Sequence, residues 1–148
     1  MLSIPHSLTG AFVASKFPNP LIYVPVAIGL HYLEDWIPHW DVGTGLSNGN
    51  RKKSTAFKLE LIDLALTAVL IYFFWRTEPM ILQIHIWAGG LAGILPDLIE
   101  APRNFFNWEP AITKPFNWLH KQFHYSIPNW VVGIIPQVVV VAVIWLLK

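Results

Sequence analysis

The chain has 148 residues, of which 54% are hydrophobic and 13% are charged, and its formal net charge is +1. A soluble domain usually carries about 25% charged residues, so this composition supplies too little polar surface for a globule in water. The length suits one domain, and the near-neutral charge argues against nucleic acid as a partner. We therefore predict a single membrane domain over residues 1–148 that is embedded in a lipid bilayer.

The N-terminal part of the chain predicts a first helical hairpin. No basic residue precedes its apolar stretch, so a cleaved signal peptide is not expected. A short helix over residues 7–17 is followed by a turn at 18–20 and by a short span over 21–37 that ends in polar residues. Because the first helix is too short to cross a bilayer alone, packing against a second copy is an open alternative, which would make a homodimer.

A second hairpin is predicted from two apolar segments, residues 57–75 and 80–95, joined by a tight turn at 76–79. A last apolar span covers residues 129–147. A helix needs about 20 apolar residues to cross the hydrocarbon core, and fewer where the protein is locally thin. These three segments are therefore the main candidates for membrane helices.

Two hydrophilic loops separate these elements, at residues 41–56 and 97–127. The second loop is rich in Pro and aromatic residues and includes a predicted interfacial helix near residues 116–125. The predicted fold is all-α: an integral membrane bundle of about five helices, made of two hairpins, an interfacial helix and a C-terminal span.

The distribution of Lys and Arg predicts the orientation of this bundle. The two loops and their edges carry Arg51, Lys52, Lys53, Lys58, Arg103, Lys114 and Lys121, whereas the opposite side carries Lys16, Arg76 and Lys148. Loops rich in Lys and Arg stay in the cytoplasm. We therefore predict a multi-pass protein of the cell (inner) membrane, with both loops and the polar helix ends on the cytoplasmic side.

Ionisable residues recur in pairs at helical spacing near this cytoplasmic side. The pairs are His31 and Asp35, Glu60 and Asp63, Asp97 and Glu100, and His120 and His124. Because ionisable side chains are costly in membrane segments, they normally face the protein interior and find partners there. Carboxylates and imidazoles on several helices of a bundle are the usual ligands of a metal site.

We therefore predict a divalent metal centre with the ligands His6, His31, Asp35, Asp41, Asp97, His120 and His124. Zinc is favoured by the nitrogen and oxygen donors, with manganese or magnesium as alternatives. Other interpretations stay open: His31 and Asp35 can form a buried hydrogen-bonded pair, and Asp97 can cap a helix. Glu60 and Asp63 are predicted to orient a ligand imidazole or to neutralise Lys58 rather than to bind the metal directly.

Several motifs resemble known metal-dependent enzymes. The stretch HYLED at residues 31–35 resembles the His-Tyr-x-x-Asp core of zinc-dependent phospholipase C, in which a helical histidine and aspartate bind zinc. Over most of the chain, the combination of His6, HYLEDWIPHWD, LPDLIEAP and LHKQFHYS is more similar to the small membrane-bound metal-dependent hydrolases of bacteria and archaea. That family usually has Pro-Asp-x-Asp where this chain has Pro96-Asp97-Leu98-Ile99-Glu100, which displaces the second carboxylate.

The resemblance and the ionisable pairs together imply metal-assisted hydrolysis at the membrane surface, because a divalent metal supplies hydroxide at neutral pH. A site at the lipid–water boundary would admit a lipid headgroup, so a lipid phosphoester is the expected substrate. Glu34 is the predicted general base, since it lies beside Asp35 and has no lysine partner. Two other classes remain: an ion-binding membrane transporter, and a non-catalytic membrane scaffold in which the polar groups only fasten helix ends.

Overall fold

The computed structural model describes residues 1–77 and 83–148. Within these ranges the chain forms helices and no strands, which confirms the all-α class. The helices are α1 (Ser3–Lys16), α2 (Pro20–Asp35), α3 (Lys53–Trp75), α4 (Ile84–Gly93), α5 (Leu95–Phe106), α6 (Lys114–Phe123) and α7 (Trp130–Leu147). The tight turn predicted at 76–79, and the start of the segment predicted at 80–95, fall partly outside the described residues.

The described ranges contain seven helices, where about five were predicted; α6 corresponds to the predicted interfacial helix, and α5 is the helix that the predicted elements lack. The segment 97–127 was predicted as a hydrophilic loop with one interfacial helix, yet α5 and α6 occupy most of it. Pro96 and Pro115 lie in the first turns of α5 and α6, where a missing N–H costs nothing, whereas Pro102 lies inside α5. The predicted loop at 41–56 is also shorter, since α3 already begins at Lys53.

The helix α1 lies at the centre of the fold and packs against α2, α3, α4 and α7. Its contact with α4 is a backbone-to-backbone contact that depends on glycine. A Cβ atom on Gly10 would lie 2.1 Å from the carbonyl oxygen of Gly89, and one on Gly93 would lie 2.1 Å from the carbonyl oxygen of His6. Small residues at such a crossing allow two helices to approach closely. The crossing holds His6 against the end of α4.

Among the described residues, α7 is the one helix that is long and apolar enough to cross a membrane by length and composition. It exposes large apolar side chains such as Trp130, Val138 and Leu146. The longer helix α3 exposes Leu61 and Ile62 but also carries Lys58, Glu60 and Asp63 within its apolar stretch.

The N-terminus of α1 is fastened by two carboxylates of α3. The backbone N–H of Ser3 donates to Oδ2 of Asp63 at 2.5 Å, and the Ser3 hydroxyl donates to Oε1 of Glu60 at 2.8 Å. The first N–H groups of a helix have no partner within the helix, so acceptors from a neighbour satisfy them. Glu60 and Asp63 therefore bind the start of α1, whereas the sequence predicted that they orient an imidazole or neutralise Lys58.

Candidate metal centre

The seven predicted metal ligands lie in one connected cluster at the C-terminal end of α2. They come from five parts of the chain: α1, α2, the segment after α2, α5, and the region of α6 with its C-terminal cap. Every one of them lies within 4 Å of another imidazole or carboxylate of the cluster. Among the described residues, two groups of these side chains have donor atoms close enough to hold a metal ion. Both groups contain Asp35.

The first group, which we call the helical subsite, consists of His31, Asp35, Asp97 and His120. Nε2 of His120 lies 2.8 Å from Oδ2 of Asp35, and Nε2 of His31 lies 3.3 Å from Nε2 of His120. Oδ1 of Asp97 lies 3.5 Å from His120 and 3.8 Å from His31. Ligand atoms at about 2 Å from one tetrahedral zinc ion lie about 3.3 Å apart, so these four side chains match the size of such a site.

The second group, which we call the loop subsite, consists of Asp35, His39 and His124, with Asp41 beside them. Nε2 of His39 lies 3.5 Å from Oδ1 of Asp35 and 3.5 Å from Oδ2 of Asp41. Nε2 of His124 lies 3.1 Å from the same oxygen of Asp41. Asp35 therefore directs one carboxylate oxygen toward each subsite.

The backbone brings the loop subsite together through a short pairing between two non-helical segments. The N–H of Tyr125 donates to the carbonyl of Asp35 at 3.0 Å, and the N–H of His39 donates to the carbonyl of Tyr125 at 3.1 Å. The N–H of Ile127 then donates to the carbonyl of His39 at 2.7 Å. This pairing places the segment after α2 beside the segment after α6, so His39 and His124 stack with ring centroids 4.9 Å apart.

The imidazole rings of His31 and His39 direct an unprotonated nitrogen atom toward the carboxylates. Nδ1 of His31 donates to the carbonyl of Gly93 at 2.8 Å, and Nδ1 of His39 donates to the carbonyl of Ile37 at 2.8 Å. A carbonyl oxygen only accepts, so in each neutral ring the hydrogen is on Nδ1 and Nε2 carries a lone pair. Burial lowers the pKa of His39, which keeps this ring neutral near pH 7.

The surroundings of His39 fit a divalent cation, because a nitrogen lone pair there faces carboxylate oxygens. Among the described residues, Nε2 of His39 is buried without a hydrogen-bond partner, although it points toward the carboxylates of Asp35 and Asp41. An unpaired buried polar atom is costly, and a metal ion placed between the lone pair and the carboxylates would remove that cost. The outer N–H of each ring is already held by a backbone carbonyl, as is typical of histidine ligands.

Glu34 lies on the outer side of His6. Its Oε2 is 2.7 Å from Nδ1 of His6, and its Oε1 accepts from the Thr9 hydroxyl at 2.5 Å. Both carboxylate oxygens are thus engaged away from the centre, whereas a general base must reach the proton that it removes. This geometry favours a positioning role for Glu34 over the predicted role of general base.

His6 touches the centre without belonging to either subsite. Its Nε2 lies 3.0 Å from Oδ1 of Asp35 and 2.9 Å from the amino nitrogen of Met1. The Met1 ammonium is buried and donates a short hydrogen bond to the same oxygen of Asp35. In this structure a positive charge therefore occupies the space between His6 and Asp35.

Glu100 supports the helical subsite from outside. Its Oε2 lies 3.2 Å from Nδ1 of His120, and its other oxygen forms an ion pair with Arg103. Burial alone would lower the pKa of His120, but the hydrogen bonds to Asp35 and Glu100 outweigh this and raise the pKa to about 10. In the absence of a cation, a proton on His120 therefore partly neutralises the cluster, and the same nitrogen is the one that a metal would take.

The chain matches no family model, no curated protein and no solved structure. The resemblance to membrane-bound metal-dependent hydrolases therefore stays a prediction, and the interpretation of the site depends on its geometry. Sequence reasoning did not include His39 among the ligands, although its spacing of four residues from Asp35 and two from Asp41 was a usable signal. It also gave no role to Glu100 beyond its pairing with Asp97.

Proposed function

We propose that this protein is a membrane-embedded metal-dependent hydrolase that acts on a lipid phosphoester at the cytoplasmic face of the membrane. The observation that carries the proposal is the pair of ligand groups on either side of Asp35, together with Nε2 of His39, which among the described residues is buried beside two carboxylates without a hydrogen-bond partner. An unpaired nitrogen of this kind is costly in a scaffold that only fastens helix ends, since buried polar groups normally have hydrogen-bond partners.

The helical subsite would hold one divalent ion through His31, Asp35, Asp97 and His120, and the loop subsite would hold a second through Asp35, His39 and His124. Imidazole and carboxylate donors favour zinc, and manganese or magnesium are the alternatives for an oxygen-rich site. A divalent metal ion bound here would lower the pKa of a coordinated water and polarise a phosphoryl oxygen.

The residues around the subsites hold the ligands and the neighbouring His6 in place. Glu34 fixes the ring of His6 through Nδ1, and Glu100 faces the corresponding nitrogen of His120. Partners of this kind set the tautomer and the orientation of a ligand imidazole. Oδ2 of Asp41 lies 3.1 Å from Nε2 of His124 and 3.5 Å from Nε2 of His39, so Asp41 would supply a further oxygen to the loop subsite.

The membrane setting is supported by the surface of the chain. The helix α7 is apolar along its length, and α2 and α3 also expose large apolar side chains, among them Leu21, Ile22, Ile62 and Leu66. The ionisable cluster gathers at one end of α2 and is not spread along the apolar helices. This distribution favours a surface site over the path of a transporter, which would need polar groups at several depths. The basic residues of the segment before α3 favour a cytoplasmic orientation.

Metal analysis combined with a hydrolysis assay tests this proposal. Purified protein should contain bound divalent metal and should cleave a lipid phosphoester in detergent micelles, and a chelator should abolish the cleavage. Asp35→Ala and Asp97→Ala should reduce both metal content and cleavage. Equally little metal in wild type and variants would favour the scaffold, whereas bound metal without cleavage of any lipid phosphoester would favour the transporter.

A further inference from the structure

A polar cavity of about 620 Å³ lies directly beside the loop subsite. Its wall is formed by the segment after α2, by the C-terminal half of α5 and by the segment after α6. Asp41 and His124 are part of that wall, so a molecule in the cavity lies next to the loop subsite. The volume falls in the range of about 300–1,000 Å³ that is typical of small-molecule pockets, and so exceeds what a bare phosphate needs.

Three basic side chains line the cavity: Arg51, Lys53 and Arg103. The two guanidinium groups are held in place by acceptors. Nη1 of Arg51 donates to the carbonyls of Asp41 and Val42 at 3.1 and 2.6 Å, and Arg103 is paired with Glu100. A pre-oriented guanidinium binds phosphate and carboxylate oxygens well, because less side-chain freedom is lost on binding.

Neutral polar side chains form much of the remaining wall. Hydroxyl and amide groups are supplied by Thr44, Ser47, Asn48, Asn50, Asn104 and Ser126. Such groups both donate and accept hydrogen bonds, so they match a ligand that carries several hydroxyl groups. The large apolar side chains on the wall are those of Trp40, Leu46 and Pro128.

The cavity is poorly suited to a quaternary ammonium group. Such groups are recognised by the open faces of several aromatic rings. Among the described residues that line the cavity, Trp40 is the only Trp, Tyr or Phe, and the guanidinium of Arg51 lies 4.7 Å from the centroid of its ring. The carboxylates of Asp41 and Glu100 also line the cavity, but they contact His124 and Arg103, so a cationic head would face three basic against two already paired acidic side chains.

We infer that this cavity binds the polar head of the substrate and selects an anionic polyol phosphate, such as a phosphorylated sugar or cyclitol, over a choline-type head. This inference rests on the proposed function, which sets the orientation of the bound head group. The ester to be cleaved lies at the loop subsite, and the rest of the head group lies among the basic and hydroxyl side chains. The same chemistry is found in a lipid headgroup and in a free phosphosugar.

Binding of two phosphate esters to the purified protein tests the inference. The probes are myo-inositol 1-phosphate and phosphocholine, titrated calorimetrically into protein supplied with zinc. We expect the inositol ester to bind at least about tenfold more tightly, which corresponds to one additional charge-assisted hydrogen bond. Arg103→Gln and Lys53→Gln should each weaken it by about tenfold. Competition by phosphatidylinositol in mixed micelles would identify a lipid headgroup as the source, and binding of the soluble ester alone would identify a free phosphosugar.

One control variant and the choice of test variant keep the outcome clear. Lys121→Gln removes one exposed cation of α6 that does not line the cavity, so it should leave both affinities unchanged. Lys53→Gln is the safer variant, since Lys53 contacts only the side chain of Asn107 through its ammonium group, whereas Arg103 also supports Glu100.

Equal or tighter binding of phosphocholine, or no binding of either ester at millimolar concentration, would overturn the inference. An unchanged affinity in Lys53→Gln and Arg103→Gln together would also overturn it. Metal content is measured on the same samples. Protein that binds no metal but still prefers the inositol ester would contradict the proposed hydrolase while supporting the assignment of the cavity.

Discussion

The helical and loop subsites share Asp35 and use the same kinds of donor, but they are built differently. The helical subsite takes its ligands from α2, α5 and α6, whose backbones are fixed by their own hydrogen bonds. The loop subsite takes His39 from the segment after α2 and His124 from the C-terminal cap of α6. Ligands on helices are held more precisely than ligands on loops, and only the loop subsite contributes ligands to the wall of the polar cavity described above. Under the proposed function, the helical subsite would therefore anchor an ion and the loop subsite would face the substrate.

Replacement of Asp35, the residue that the two subsites share, should have the largest effect, because it removes a ligand from both subsites. Asp35→Asn takes a charged ligand from both subsites and leaves the buried Met1 ammonium without its ion pair. We expect metal content to fall from two ions per chain toward none, with loss of hydrolysis. Inductively coupled plasma mass spectrometry of the purified variant measures this directly.

Glu109→Gln is the matched control for this variant. Glu109 is an acidic residue outside both subsites that pairs with Arg103 and accepts from Asn117. This variant should keep both ions. If Asp35→Asn retained a full complement of metal, the idea of a shared bridging carboxylate would be wrong.

Single histidine variants should separate the two subsites. His120→Ala should lose the ion of the helical subsite, and His124→Ala should lose the ion of the loop subsite, since each ring contributes to one group. Each variant should therefore bind about one ion fewer than wild type, as measured by titration with zinc in the presence of a competing chelator dye. Loss of both ions from either single variant would show that the subsites do not bind independently.

Glu34→Gln tests the positioning role against the predicted general base. A neutral amide still contacts His6 but orients its ring less strongly. Because His6 belongs to neither subsite and contacts the shared Asp35, metal affinity should fall by less than the roughly tenfold expected for the partner of a direct ligand. The shape of the pH–rate profile should be unchanged, because no base is lost. A profile that lost its acidic limb, where protonation of a general base slows the reaction, while metal affinity stayed constant would restore Glu34 as the general base.

Gly93→Ala should have the smallest effect on metal binding and should act mainly on the helical subsite. The added Cβ would lie 2.1 Å from the carbonyl oxygen of His6, and the carbonyl of Gly93 accepts from His31. We expect a loss of about 1–3 kcal/mol in stability from this overpacking, seen as a lower Tm. Gly29→Ala on α2 is the control: its Cβ would meet no atom within 4 Å, and it should leave Tm unchanged or raise it.

The helical subsite could be predicted from the sequence because its signal is local. His31 and Asp35 are four residues apart on one helix, and Asp97 and His120 also belong to helical pairs. The loop subsite was predicted less completely, since His39 reaches His124 through backbone pairing between segments that are more than 80 residues apart in sequence. Hydropathy and helical periodicity contain no information about such pairing.

The helix α5 illustrates a second limit of the sequence. Pro96, Pro102 and several polar residues suggested a loop, but tertiary contacts make this segment helical. One face of the helix buries Glu100 toward His120, and Asn107 ends it in the left-handed conformation with φ of 55°. The role of Glu60 and Asp63 was hidden for a similar reason, since their partner is the backbone at the start of α1.

Anomalous X-ray scattering at the zinc edge, from crystals of the zinc-supplied protein, tests the central claim most directly. We expect two peaks, one among His31, Asp97 and His120 and one between His39 and His124, with the carboxylate of Asp35 bound to both. Each ion should lie about 2.0–2.2 Å from its ligand atoms. The absence of any peak within that distance of Asp35 would contradict the account, because the imidazoles and carboxylates would then be gathered there without a metal to bind.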